Sequence, residues 1–188
     1  MFDSLSEVEP LDLNFEQYKT ESRSVDSFDC GNVELNDFLC TEEVGKYEKE
    51  LLGRTWLVFY KGVLVAYYTI SNGSLRIEYL KCHRGFSNAG EYHIDTIPSL
   101  IVGRLAVDKK WQYKGIGRTI MAKIAAQAYE SSETAGLRLI VVQAKNDAIN
   151  FYEKLGFIPV FETSKEKKRI KNRHTRTMFF DLLALDDI

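Results

Sequence analysis

Two glycines and a glutamine at fixed spacing mark where this chain can hold an anion. Gln112-Tyr113-Lys114-Gly115-Ile116-Gly117 follows an apolar run over residues 100–107 that stops at Asp108. Ile116, Ile120, Ile124 and Ala128 then keep helical spacing. The predicted order is strand, glycine loop, helix. Glycine backbone reaches conformations closed to other residues and lets a ligand approach closely. A helix start presents unpaired N–H donors and a partial positive charge. An anion is therefore expected at the backbone amides of Gln112, Tyr113, Lys114, Gly115, Ile116 and Gly117. Lys109, Lys110, Lys114 and Arg118 add positive charge there, each being otherwise an ordinary solvated surface cation. The spacing is neither of the usual nucleotide motifs. A dinucleotide fingerprint needs G-x-G-x-x-G, and a P-loop needs Lys-Ser/Thr after its second glycine, where this chain has Arg118-Thr119.

The elements that must position this loop are legible around it. At 188 residues, 45% hydrophobic and 28% charged, the chain reads as one globular domain over 1–188, with a core at about 53–183 and an N-terminal helical part at 28–52. Alternation predicts a first strand at 11–15. Residues 28–39 predict a helix capped by Asp29 or Asn32, with Val33, Leu35, Phe38 and Leu39 as its buried stripe. A charged helical or irregular stretch follows at 41–52. Residues 55–60 and 63–70 read as a hairpin across Lys61-Gly62. A weak strand at 75–80 precedes a long loop at 81–98, a length that in a compact domain is usually functional or mobile. The glycine-loop helix is predicted to about Tyr129 and to be ended by 131–136. A buried strand at 137–143 leads to Asn146-Asp147, read as the cap of a helix with Ala148, Phe151, Tyr152 and Leu155 on its apolar side and Gly156 at its end. Residues 157–161 and 175–183 are the last two strands.

Composition sets further bounds. Cys30, Cys40 and Cys82 are odd in number and widely spaced, which fits reduced thiols. Cys82-His83 with His93 and Asp95 matches no closed zinc site, and no metal is expected. No basic region leads an apolar stretch at the N-terminus, and no run approaches the roughly 18 apolar residues of a spanning helix, so a cytoplasmic protein is expected.

Q-x-x-G-x-G on a strand-to-helix turn resembles the pyrophosphate loop of the GNAT N-acetyltransferase superfamily. Residues 146–157, N-D-A-I-N-F-Y-E-K-L-G-F, are similar to the family's coenzyme-proximal helix, N-x-x-A-x-x-F-Y-x-x-x-G-F, matching it from Ala148 onward with Asn146 one position nearer to the alanine. The resemblance implies an α/β fold with a mixed, mostly antiparallel central sheet, flanking helices and splayed central strands. It also implies acetyl-CoA as co-substrate. The exposed backbone of Leu105, Ala106 and Val107 would pair with the pantetheine arm, the loop from Gln112 through Arg118 would hold the pyrophosphate, and Asn146 and Asn150 would bond the pantetheine amides. Tyr152 would be the acid, since a phenol with an ordinary pKa near 10 can protonate a leaving thiolate. Read from the residues alone, Tyr152 is equally a helix-face aromatic packed in the core. Several members of the family carry a carboxylate on the strand before the loop; here that strand offers Arg104, which cannot act as a base. The amine then arrives neutral, or His93 or Asp95 relays its proton through water. An α-amine, with a pKa near 8, is already partly neutral in a cell, unlike a lysine amine near 10.4.

Residues 28–39, F-D-C-G-N-V-E-L-N-D-F-L, with 101–108 and the closing R-T-M-F-F at 176–180, are similar to the GNAT toxins of bacterial toxin–antitoxin modules. This implies acetylation of the α-amine of aminoacyl-tRNA, a ribbon-helix-helix antitoxin as partner, and a homodimer, the family being frequently dimeric. Acceptors of other kinds, a protein or a small amine, stay open, as does a coenzyme-A-binding module without activity; intact Gly115, Gly117 and Tyr152 argue against the last. Residues 164–176 hold seven Lys or Arg against one acid, Glu166, in a chain of net charge −2. Lys167, Lys168, Arg169, Lys171 and Arg173 are thus candidate contacts for a phosphate backbone, the alternative being a solvated charge run.

Overall fold

In the computed structural model, which describes residues 12–19, 25, 27–83, 85–86, 94–160 and 174–185, the predicted hairpin is closed by two residues of positive φ, Lys61 at 48° and Gly62 at 80°. Two consecutive left-handed residues match the twist of the strands that they join. Those strands are β2 (Arg54–Tyr60) and β3 (Val63–Arg76). The further strands are β1 (Leu13–Gln17), β4 (Thr96–Val107), β5 (Leu139–Lys145), β6 (Ile158–Pro159) and β7 (Thr175–Asp181), and the sheet order is β1-β2-β3-β4-β5-β7-β6. β1–β2, β2–β3, β5–β7 and β6–β7 pair antiparallel, and β4–β5 pair parallel. This is the mixed, mostly antiparallel sheet that the resemblance implies. The chain forms two compact units, Met1–Ile70 with Arg104–Ala122, and Ser71–Gly103 with Lys123–Ile188.

In the first unit, β1 is registered on β2 from Leu13↔Tyr60 to Gln17↔Trp56; it begins two residues later than the strand predicted at 11–15, and Leu11 lies outside the described residues. Helices α1 (Val33–Cys40) and α2 (Glu43–Lys49) follow. Asn32, not Asp29, caps α1, its Oδ1 accepting from the Leu35 amide at 3.2 Å. Phe38 and Leu39 are buried and Leu35 is half-buried, but Val33 is 73% exposed. The predicted stripe fails at Val33 because residues two apart on a helix lie on nearly opposite sides, whereas 35, 38 and 39 share a face. The core of this unit gathers Phe28, Phe38, Leu39, Val44, Leu57, Phe59, Tyr67 and Ala106. Tyr67 is its centre: Phe28 meets its ring edge-on at 5.5 Å, Phe38 stacks at 6.1 Å, and its hydroxyl donates to the Leu35 carbonyl at 2.7 Å. Burial raises its pKa.

In the second unit, β3 runs on to Arg76, past the strand end predicted at 70, and residues Ile77–Tyr79 form a 3₁₀ turn where a strand was expected at 75–80. Leu75, Ile77 and Leu80 are buried together in a core with Phe86, Ile97, Leu139, Val141, Val160 and Phe179, a grouping that a turn satisfies as well as a strand. β4 starts four residues earlier than predicted and accommodates Pro98, which is exposed and whose carbonyl accepts from the Arg138 amide at 3.1 Å. β5 is buried at every position from Leu139 to Val142 and is registered on β7 along its whole length. Helix α4 (Ile149–Glu153) starts from Ala148 with no side-chain cap, so Asn146 and Asp147 are not its caps; they form a turn in which the Ala148 amide donates to the Lys145 carbonyl. Gly156 leaves the helix at φ 85°. Phe161, the end of the predicted next strand, lies outside the described residues.

Helix α3 (Ile116–Ala135) buries Ile116, Ile120, Ile124 and Ala128 as the spacing predicts. It outruns the predicted end near Tyr129, because the Ser131, Ser132 and Thr134 hydroxyls bond back to carbonyls of the helix itself rather than breaking it. Gly136, at φ 65°, ends it. No helix among the described residues is long and apolar enough to cross a membrane.

Tyr67→Phe tests the centre of the first unit. Removing the hydroxyl should cost about 1 kcal/mol in urea unfolding without changing the secondary structure; a loss within error would mean that the Leu35 carbonyl is fully served inside α1.

Candidate functional site

β4 hands the chain to the glycine loop through a buried carboxylate. Asp108 is 7% exposed; its Oδ2 accepts from the Asp29 amide at 3.1 Å, its Oδ1 from the Lys110 amide at 2.9 Å, and its own amide donates to the Val65 carbonyl at 2.8 Å. The Lys110 bond starts a 3₁₀ turn, Lys109–Trp111. Gln112 was read as a backbone donor, yet its side chain has a role of its own: Nε2 donates to the carbonyls of Val107 at 3.0 Å and Cys30 at 2.9 Å. Tyr113 then takes φ 62° and Gly115 φ 83°. A Cβ at Gly115 would meet nothing within 4 Å, so this glycine is required by conformation and leaves open space beside the backbone.

The first bond of α3 runs from the Thr119 amide to the Gly115 carbonyl at 3.1 Å. The amides of Ile116 and Gly117 come before it and have no acceptor one turn back, which is the geometry of an anion-binding helix start. Two of the cations near the loop are engaged by their neighbours. Lys109 pairs with Asp29 at 2.9 Å, and Lys114 Nζ lies 4.6 Å from the ring centre of Trp111, whose edge meets Tyr60 at 5.1 Å. Lys110 and Tyr113 are exposed, Tyr113 completely. The roles of Asp108 and of the Gln112 side chain escaped the sequence reading because nothing local distinguishes a capping Asp from a surface one.

Of the three residues expected to present backbone at the end of β4, Ala106 is buried and Leu105 and Val107 are half-buried. The registered pairs between β4 and β5 run from Ser99↔Leu139 to Val102↔Val142, while β4 continues to Val107. Arg104 is held on aromatic faces, 3.6 Å from the Phe38 ring centre and 5.0 Å from that of Tyr47, with Glu43 at 3.3 Å. Its place on the strand is taken by a structural cation.

Tyr152, in the second unit, is 7% exposed and wedged between Phe151, edge-on at 5.0 Å, and Phe157 at 5.5 Å. Burial pushes its hydroxyl up to about 12. The hydroxyl has no hydrogen-bond partner among the described residues. The sole buried side-chain nitrogen or oxygen left unpaired among them is Nε of Arg176, so the Tyr152 oxygen keeps contact with solvent. It is thus a packed aromatic whose hydroxyl is free to donate. Asn146 and Asn150 are exposed at the two sides of the α4 start. His83 is a core histidine, its Nε2 3.0 Å from the Val160 carbonyl and its ring edge-on to Phe179. Asp95 is exposed. His93, Lys167, Lys168, Arg169, Lys171 and Arg173 lie outside the described residues. Among those described, no group of three or more His, Cys, Asp or Glu could hold a metal ion.

A family model described as an acetyltransferase (GNAT) domain matches residues 53–159. A tRNA-acetylating toxin of Mycobacterium tuberculosis is 26% identical to the chain over 140 residues, covering 73% of this chain and 80% of that protein. The solved structure of AtaT complexed with acetyl-methionyl-tRNAfMet resembles the chain with a TM-score of 0.73 and 26% identity, over 93% of this chain and 98% of that one. That of AtaTR bound with AcCoA gives 0.67 and 26%, over 93% and 96%.

The wedge around Tyr152 has a spectroscopic consequence. Subtracting the tyrosinate absorbance titration of Tyr152→Phe from that of the wild type should leave a single step near pH 12. In the native state this proton is held through the interval from the ordinary value near 10 up to the raised one, so stability contributed by the buried phenol is complete below pH 10 and lost as pH rises through that window. A difference step at the ordinary value would mean that Phe151 and Phe157 do not shield the phenol.

Proposed function

The chain belongs to the acetyltransferase (GNAT) family, and on that premise we propose that it moves an acetyl group from acetyl-CoA to the α-amine of aminoacyl-tRNA. The observation that carries the coenzyme half is the turn after β4, where positive φ at Tyr113 and Gly115 leads into the unpaired first amides of α3. Relatives named for tRNA acetylation, similar over most of the chain, support the acceptor half.

Acetyl-CoA, when bound, supplies an activated thioester. This chain's residues then have distinct tasks. The amides of the loop from Gln112 through Gly117, with Lys114 and Arg118 adding charge, hold the pyrophosphate. The main chain of Leu105, Ala106 and Val107, beyond the last registered β4–β5 pair, lies along the pantetheine arm, and Asn146 and Asn150 bond its amides. Tyr152, held protonated at working pH by a pKa raised through burial, would give its proton to the sulfur as the neutral amine bonds to the acetyl carbon and the carbon–sulfur bond breaks, and the proton shed by the attacking nitrogen would return through water to the phenolate. No carboxylate base is needed if the amine arrives partly neutral, which an α-amine does and a lysine amine does not. Arg104 has no part in the proton transfer.

The basic stretch containing Lys167, Lys168, Arg169, Lys171 and Arg173 is assigned to the tRNA backbone. An acceptor of this kind locates the enzyme in the cytoplasm. The solved AtaTR, similar to this chain and bound with AcCoA, supports the coenzyme reading; an antitoxin partner of the ribbon-helix-helix kind and a homodimer are assigned on the sequence resemblance alone.

Two experiments test the proposal. Tyr152→Phe deletes one proton donor and almost no volume, and should lower kcat about 10²–10⁴-fold with little change in KM for acetyl-CoA; full turnover, with chemistry rate-limiting, would leave Tyr152 a packing residue. Replacing Lys167, Lys168, Arg169 and Lys171 by Ala should weaken salt-sensitive binding and acetylation of charged tRNA while leaving coenzyme-A affinity intact. Equal activity of the wild type on a free amine and on aminoacyl-tRNA would assign the acceptor to small amines or proteins.

A further inference from the structure

Asp29 stands where a carboxylate is least expected, against the turn that leads into an anion site. Its Oδ1 accepts from the Gly31 amide at 2.8 Å and from Asn36 Nδ2 at 2.9 Å, and its Oδ2 accepts from Lys109 Nζ at 2.9 Å. Its backbone is tied as well: the amide donates to Asp108, and the carbonyl accepts from the Lys109 amide at 2.9 Å. Asn36, on α1, closes the arrangement by accepting from the Cys30 amide at 3.0 Å, and the Cys30 carbonyl receives the Gln112 side chain. Gly31 takes φ 86°, and a Cβ there would lie 2.8 Å from Lys109 Cε, so Lys109 passes directly over it.

Residues 29–31 therefore bond to Asp108, Lys109 and Gln112, both ends of the 3₁₀ turn between β4 and the glycine loop. A surface ion pair alone contributes little, and a carboxylate beside bound phosphate is repulsive. If Lys109 served the anion directly, Asp29 would only oppose it. What the cluster does supply is geometry, since backbone and side chain of the same residue fix the same neighbour. Lys109 above all, then Asn36 and Gly31, draws the Asp29 carboxyl down to about 2 and keeps it ionised.

We propose that Asp29 and Asn36 are positioning residues that clasp the turn at residues 108–112, aim the loop amides that follow it, and so set the affinity for acetyl-CoA without touching it. This rests on the acetyl-CoA reading above and assigns a task to the D-C-G-N-x-x-x-N segment that a helix cap does not need.

The sign of the change decides the matter. Calorimetric titration with coenzyme A should show Kd raised about tenfold in Asp29→Ala and in the uncharged change Asn36→Ala, with KM for acetyl-CoA rising in step and kcat at saturation within about twofold of wild type. Glu48→Ala serves as control: Glu48 accepts from the Thr55 amide and pairs with Arg54 in the same unit, so its loss should lower the melting temperature yet leave coenzyme-A affinity unchanged. If Asp29→Ala does not fold, Asp29→Asn, which keeps the shape, gives the same comparison. Unchanged or tighter binding in the Asp29 and Asn36 variants overturns the clasp, as does an equal loss in Glu48→Ala, or a fall in kcat at constant KM. A wild-type chain that binds no coenzyme A overturns the acetyl-CoA reading together with this one, whereas wild-type binding unaffected by Asp29→Ala overturns the clasp alone.

Discussion

A carboxylate taken out of water at the end of β4 decides what the chain does next. Burying Asp108 is unfavourable unless its oxygens are hydrogen-bonded, and the donors it finds, the amides of Asp29 and Lys110, set the course of the turn that follows. From there the Gln112 side chain closes back on Val107, and the backbone enters the left-handed region at Tyr113 and Gly115. A non-glycine residue at positive φ costs on the order of 1 kcal/mol or more. That strain is held by the hydrogen bonds on its N-terminal side, and the helix that follows makes its first backbone bond only at Thr119, to the Gly115 carbonyl.

Charge around this loop is used mostly for structure. Arg104 lies on Phe38 and pairs with Glu43, Lys109 pairs with Asp29, and Lys114 covers Trp111. Of the cations beside the loop, Lys109 and Lys114 are thus held by neighbours, whereas Lys110 is exposed. On the proposed reading, recognition of the pyrophosphate would fall chiefly to backbone dipoles, which are fixed in direction and lose less to salt than mobile side chains do. Exclusion of a carboxylate from β4 follows the same logic, since the guanidinium there completes the packing of α1 and α2.

Tyr152 is packed in a way that bears on the role proposed for it. The rings of Phe151 and Phe157 that bury it also disfavour the phenolate, so the group is available as a donor and unavailable as a base. The asparagines at the start of α4 and the glycine that ends it are what bring this tyrosine to a short helix rather than a long one: the turn at 146–148 delays the start to Ile149, and Gly156 turns the chain toward β6.

The sequence by itself determined the features whose cause is local. Lys61-Gly62 specifies a tight hairpin, Ile116, Ile120, Ile124 and Ala128 specify the buried face of α3, and Q-x-x-G-x-G between a strand and a helix specifies a turn into a helix start; each needs only residues within a few positions. Tyr152 was legible as a candidate but not its surroundings, because an aromatic on a short helix has the same pattern whether it is core or catalyst. Only the tertiary structure decided which of Asp29 and Asn32 caps α1, why Val33 is exposed, and that residues 77–79 turn rather than extend. It alone brought Asp29 to Asp108 and Lys109, 79 and 80 residues away, and Arg104 to Glu43, 61 residues away. Periodicity and propensity are properties of neighbours in the chain, and these contacts join residues that become neighbours only when the chain folds.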